Sequence, residues 1–143
     1  MQLIRGLHNI RQEHRGCVAT IGNFDGVHLG HRTMLKELRR QAQKRSANMC
    51  VITFEPLPRE HFSTGEMPAR LTRLREKLFL LEQCGVDQVV CLSFGEKLSS
   101  VHANDFVKNI LVSGLGIKYL VVGDDFRFGH ERMGCFSYLC EMG

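Results

Sequence analysis

His28 and His31 stand three residues apart with Gly30 between them, in the run Gly22-Asn23-Phe24-Asp25-Gly26-Val27-His28-Leu29-Gly30-His31. On a helix that spacing lies on one face of one turn. Two imidazoles so arranged can donate hydrogen bonds to phosphate oxygens and, when protonated, oppose the negative charge that grows during phosphoryl or nucleotidyl transfer. Gly30 leaves room for a phosphate to approach the backbone, and Gly22 and Gly26 permit a tight turn. Two plainer readings compete. A histidine near a helix start is often simply solvated, and His-x-x-His can be half of a zinc site. The glycine framing disfavours both, and His8, His14, His61, His102 and His130 supply no further ligands at zinc spacing.

The elements that must position this run are legible on either side of it. Cys17-Val18-Ala19-Thr20-Ile21 is a short apolar stretch with β-branched residues, expected as a buried parallel strand. From Gly30 onward Met34, Leu35, Leu38 and Ala42 recur at helical spacing. The helix start therefore sits at the carboxyl end of the strand, where free N–H groups and the positive end of the dipole make an anion site. Met49-Cys50-Val51-Ile52-Thr53-Phe54 reads as a second strand, halted by Glu55-Pro56-Leu57-Pro58. After a charged loop over residues 59–70, Leu71, Leu74, Leu78 and Leu81 mark a helix ending near Cys84-Gly85. Residues 89–92 give a third strand. Residues 103–112, with Phe106, Val107, Ile110 and Leu111 on one side, give a third helix stopping at Ser113-Gly114, and residues 119–122 a fourth strand. This alternation predicts an α/β fold, a Rossmann-like parallel sheet with right-handed crossovers and helices on both faces. Ligands bind outside the carboxyl ends of such strands. The loops at 22–25, 55–58, 93–95 and 123–129 carry the residues least suited to a core, and they are expected to form one mouth.

Composition narrows the classes. A chain of 143 residues with ordinary apolar and charged fractions suits one globular domain. No apolar stretch approaches a membrane span, and Met1-Gln2-Leu3-Ile4-Arg5 does not begin a signal peptide, so a cytoplasmic protein without a membrane partner is expected. Cys17, Cys50 and Cys91 fall in apolar runs and no Cys-x-x-Cys occurs, which favours reduced, buried thiols. Much of the net charge of +4 sits on one helix, at Arg32, Lys36, Arg39, Arg40, Lys44 and Arg45. A nucleic-acid stripe is one reading. A solvated face with cations toward the negative end of the dipole is the better one, because no aromatic residues interleave with the basic ones; no nucleic-acid partner is expected.

His28-Leu29-Gly30-His31 resembles the HxGH signature of the nucleotidylyltransferase superfamily. The longer run from Gly22 resembles the N-terminal FMN adenylyltransferase module of the bacterial bifunctional riboflavin kinase/FAD synthetase family. Thr53-Phe54-Glu55-Pro56-Leu57-Pro58, the residues Leu71, Thr72 and Lys77, and Gly123-Asp124-Asp125-Phe126-Arg127-Phe128-Gly129 are similar to the same family's pattern, so the resemblance extends over nearly the whole chain. It implies a fold of nucleotidylyltransferase type, in which Gly22, Asn23, Phe24, Asp25, Gly26, His28, Gly30 and His31 hold ATP and its magnesium-bound phosphates, with His28 and His31 catalytic. No residue is assigned to hold Mg²⁺. Asp125 is similar to a family position that binds nucleotide or flavin. Phe54, Pro56 and Pro58 resemble a flavin-side loop whose apolar wall suits the isoalloxazine ring, and Phe126, Arg127 and Phe128 would add ring contacts and a phosphate-binding guanidinium. Structural readings stand beside these: Phe126 and Phe128 alternate as an extension of the fourth strand would, Pro56 and Pro58 stop a strand, and Asp25 can cap the following helix.

The resemblance further implies transfer of AMP from ATP to FMN, giving FAD and pyrophosphate. The nucleophile is a phosphate monoester already ionised at neutral pH, so no general base is needed. Leu57 and Cys135 depart from the family pattern, where His and Asp are common. Residues 1–143 are expected to be an adenylyltransferase domain lacking the family's later Ile-Ser-Ser-Thr-x-x-Arg motif and its riboflavin kinase domain, which leaves the activity of this chain alone open. The alternatives are a nucleotidyltransferase for another phosphorylated acceptor and a non-catalytic nucleotide- or flavin-binding fragment.

Overall fold

Every residue of Val18–Ile21 (β2), Met49–Phe54 (β3) and Gln88–Leu92 (β4) is buried, as strands covered on both faces must be. The structure, a computed structural model, describes residues 1–27, 29–55, 73–93, 98, 100–122, 127–128 and 134–135. With Gln2–Arg5 (β1) and Tyr119–Val121 (β5), these strands form a five-stranded sheet in the order β1-β4-β3-β2-β5, every neighbouring pair parallel. Among the described residues, the helices that pack on the sheet are Leu29–Arg45 (α1), Leu74–Gln83 (α2) and a third, α3, that opens with one α turn at Ala103–Asp105. The third helix continues as a π-helix over Phe106–Val112, whose Phe106, Val107, Ile110 and Leu111 are buried in the core.

Topology decides which face each helix covers. From β2 the chain steps through α1 to β3 and through α2 to β4, always in one direction; it then returns through α3 to β5 on the other side of β2. Right-handed crossovers in opposite directions lie on opposite faces of a sheet. Accordingly Leu35, Leu38 and Ala42 of α1 and Leu81 of α2 pack with Val18, Met49, Val51 and Val89. Phe106, Val107, Ile110 and Leu111 pack with Ala19, Ile21, Cys50, Ile52, Phe54, Val90 and Leu92, the alternate residues of the same strands. Helices on both faces of a parallel sheet are thus as the sequence predicts.

Two features differ from that expectation. The amino-terminal residues form β1, which extends the sheet beyond β4 with Gln2 opposite Gln88 and Arg5 opposite Cys91. Only Ile4 of β1 is buried, so an edge strand with one core residue leaves almost no apolar pattern to read. The phenylalanine alternation after the fourth strand is likewise not an extension of β5. Arg127–Phe128 (β6) pairs antiparallel with Gly134–Cys135 (β7) in a separate two-stranded sheet.

Cys17, Cys50 and Cys91 are buried thiols in no disulfide, as expected from their apolar settings. Cys135 falls in β7, and Cys140 lies outside the described residues. Among the described residues, no helix is long and apolar enough to cross a membrane.

The basic face of α1 is tied into the fold. Arg40 donates to both carboxylate oxygens of Glu37, at 2.8 and 2.6 Å. These bonds, with one from Gln41, hold the Glu37 carboxyl down at a pKa of about 2. Arg39 donates to the Cys84 carbonyl at the end of α2, 3.1 Å away. The Arg45 guanidinium lies 4.2 Å from the centre of the Tyr119 ring on β5. A half-buried cation over an aromatic face contributes about 0.5–1 kcal/mol, so Arg45→Ala is expected to lower unfolding stability by that amount in a urea titration. A loss indistinguishable from that of Arg45→Lys would mean that charge, not stacking, holds the end of α1.

Candidate functional site

The order of strands reverses beside β2: its neighbours are β3, reached directly through α1, and β5, reached only at the end of the crossovers. In an open α/β sheet that reversal opens a crevice at the carboxyl ends of the strands, and the loop leaving β2 borders it. The loop's described residues are 22–27. It leaves in register with the sheet, because the Gly22 N–H still donates to the Ile52 carbonyl of β3 at 3.0 Å.

The loop then turns through three left-handed residues, Phe24 (φ 52°), Gly26 (φ 81°) and Val27 (φ 41°). Glycine adopts this conformation freely, whereas each non-glycine residue there costs about 1–3 kcal/mol and persists only where packing enforces it. Packing does so here: Phe24 is 0% and Val27 1% exposed, both in the core between the sheet, α1 and α2. The Val27 N–H closes the turn on the Phe24 carbonyl at 3.2 Å. Gly22 serves another purpose than the turn expected of it. Its φ is not left-handed, and a Cβ there would stand 3.0 Å from Cε2 of Phe24, so its small size admits the Phe24 ring.

That ring in turn seats an imidazole. The rings of Phe24 and His31 lie 4.7 Å apart between centroids at an angle of 39°, a tilted stack that fixes the half-buried His31 in the first turn of α1. Leu29, 79% exposed, and Gly30 leave the start of α1 open to solvent, and its first turn carries no acidic residue to oppose an anion. Asp25 and Gly26 are half-buried within the turn, and Asn23 is exposed.

A buried lysine fastens the other end of the loop. Lys77 of α2 is 1% exposed; its Nζ donates to the Asn23 carbonyl at 2.8 Å and to the Thr53 hydroxyl at 3.1 Å. The Thr53 hydroxyl donates to the same carbonyl at 3.2 Å. In the sequence Lys77 is only one of the positions that carry the family resemblance. The signal for its burial is its place in the Leu74, Leu78, Leu81 stripe of α2, where a solvated lysine does not belong.

The structure thus assembles Gly22, Asn23, Phe24, Asp25, Gly26, Gly30 and His31 at the carboxyl end of β2. Phe54 ends β3 at the same edge of the sheet, 8% exposed and packed on the α3 face. His28, Pro56, Pro58, Asp125 and Phe126 lie outside the described residues, and Arg127 and Phe128 are described as strand β6.

The likeness to known proteins covers this whole arrangement. The chain is 53% identical over 143 residues to the bifunctional riboflavin kinase/FMN adenylyltransferase of Pseudomonas fluorescens, matching all of this chain and 46% of that protein. It is 51% identical over 144 residues to the protein of the same name from Escherichia coli K12, again over all of this chain and 46% of the relative. This chain therefore spans about half the length of the curated relatives it matches. Among solved structures, one titled a macrolide-efflux protein from Streptococcus pneumoniae superposes with a TM-score of 0.88 at 22% identity, covering 100% of this chain and 47% of that one, which speaks for the fold alone. The family model described as FAD synthetase matches residues 10–143, from the turn before β2 through every element just described, so the chain belongs to the FAD synthetase family.

Proposed function

We propose that this chain is an FMN adenylyltransferase module, transferring AMP from ATP to FMN to give FAD and pyrophosphate. The observation that carries the reading is His31, seated on Phe24 at the start of α1 beside the strand reversal, in a chain belonging to the FAD synthetase family. ATP enters as its magnesium complex, with its triphosphate at the open start of α1. An oxygen of the FMN phosphate attacks the α-phosphorus; the new P–O bond forms as the bond to the pyrophosphate oxygen breaks. The attacking monoester has a second pKa of about 6 and is already ionised, so the reaction needs no proton acceptor on the protein. The work left for the protein is alignment and charge stabilisation. His28 and His31 donate to the phosphate oxygens on which charge builds, and the free N–H groups of the helix start add to them.

The flavin side is assigned to Phe54, Pro56, Pro58 and the segment around Asp125, Phe126, Arg127 and Phe128, with Arg127 on the FMN phosphate. A riboflavin kinase partner domain, as in the relatives' names, would supply that FMN. The direct test is incubation of the full-length protein with ATP, FMN and Mg²⁺, with FAD and pyrophosphate quantified. Equal amounts of both support the reading, and transfer only to another phosphorylated acceptor overturns it. Arg127→Ala is expected to weaken FMN binding about tenfold or more while leaving riboflavin affinity unchanged, since a guanidinium can clamp only the ligand that has a phosphate. Fluorescence titration of both flavins measures this, and equal losses would remove Arg127 from the phosphate.

A further inference from the structure

We infer that Lys77 is a positioning residue for this reaction, a latch that acts through the loop on His31; the inference rests on the adenylyl-transfer reading above. The chain of contacts is continuous. Lys77 Nζ and the Thr53 hydroxyl converge on the Asn23 carbonyl, at 2.8 and 3.2 Å, so that one oxygen accepts from two side chains on two different elements. The next residue is Phe24, in left-handed conformation and fully buried, and its ring is the surface on which the His31 imidazole rests. Fixing the carbonyl of residue 23 fixes the peptide plane that leads into that turn. Without the latch that peptide plane loses both side-chain restraints on its carbonyl, and a small shift of the Phe24 ring within its packing moves the imidazole. Misplacement of a donor by a fraction of an ångström is enough to lower a rate that depends on alignment.

Helix packing alone does not account for the lysine. Its neighbours on the same stripe, Leu78 and Leu81, pack in the core between α1, α2 and the sheet, and a methionine or leucine would fill the same space without the cost of desolvating an ammonium group. What Lys77 provides that they cannot is a pair of donated hydrogen bonds to the loop and to Thr53. It also sets a cation beneath a loop proposed to meet a triphosphate, inside the protein where solvent screens charge least.

The test is a double-mutant cycle in the full-length protein, with kcat, KM for ATP and ATP affinity measured at a temperature where every variant is folded. Lys77→Met is expected to lower kcat about tenfold in the wild-type background and less than about threefold when His31 is already alanine, because a residue acting through another loses its effect once that other is gone. Thr53→Val, which keeps the shape and removes one donor, is expected to lower kcat about threefold with the same coupling. A purely structural lysine would lower the unfolding temperature and leave kcat unchanged, or cost the same factor in both backgrounds; either result overturns the latch. If Lys77→Met does not fold, the Thr53→Val cycle decides on the same criterion. Should the wild type bind ATP and yet form no FAD, the adenylyl-transfer reading fails separately, and the latch is judged on the His31 ring resonances read by NMR: their displacement in both Lys77→Met and Thr53→Val supports it, and unchanged resonances overturn it.

Discussion

Alanine at position 31 is expected to lower adenylyl transfer by the full-length protein about a hundredfold, with KM for ATP changed far less than kcat. The size follows from the role: removing one preorganised donor from the site where charge develops costs about 3 kcal/mol of transition-state stabilisation. The split follows from timing, since charge on the phosphate oxygens grows toward the transition state and a donor aimed there contributes little to ground-state binding. His28→Ala, the partner donor in the proposed mechanism, is expected to fall by a similar factor. The fold should survive the change at His31, because the imidazole rests on Phe24 from the solvent side while Phe24 itself is held by the core. His31→Gln keeps a donor near the same place and should recover part of the loss. Equal turnover in wild type and His31→Ala, with unfolding curves superimposed, would take His31 out of the mechanism and leave the anion site to the helix start.

Most of the sheet was legible in the sequence because its strands are buried on both faces. Strands β2, β3 and β4 read as unbroken apolar runs, and the helices between them carry one apolar stripe each. β1 escaped because an edge strand facing solvent buries one side chain, and β6 and β7 because two-residue strands have no period to detect. The sequence also marked the loop that leaves β2 at the strand reversal. What it could not yield was how the loop is held. The left-handed turn was assigned to glycines, yet Phe24 and Val27 adopt the same conformation against their intrinsic preference, under pressure from a core contributed by α1, α2 and three strands. The burial of Lys77 depends likewise on α2 meeting β3 at Thr53, a contact between residues far apart in the chain. Local composition records propensity; it does not record the tertiary contacts that override it.

Phe24 is where that override is most testable, and its variants should reverse a familiar ranking. Phe24→Ala removes a fully buried ring and leaves a cavity, a change that costs about 3–5 kcal/mol in a core. Alanine keeps a Cβ, so the strain of the left-handed backbone stays. Phe24→Gly opens a slightly larger cavity and relieves that strain, worth roughly 1–2 kcal/mol for an L-residue held in this region. In a helix or strand glycine is the more damaging replacement; at position 24 the glycine variant is expected to be the more stable of the two by about 1 kcal/mol. Both losses are large against a typical total stability of about 5–15 kcal/mol, so urea titrations at low temperature are needed to keep each variant two-state. Activity separates the two consequences of the ring. Either substitution takes away the surface on which His31 rests, so both variants should lose kcat to a similar extent even though their stabilities differ. If alanine proves the more stable, the φ of 52° at position 24 relaxes once the ring is gone, and the contacts at Asn23 do not hold the turn without it.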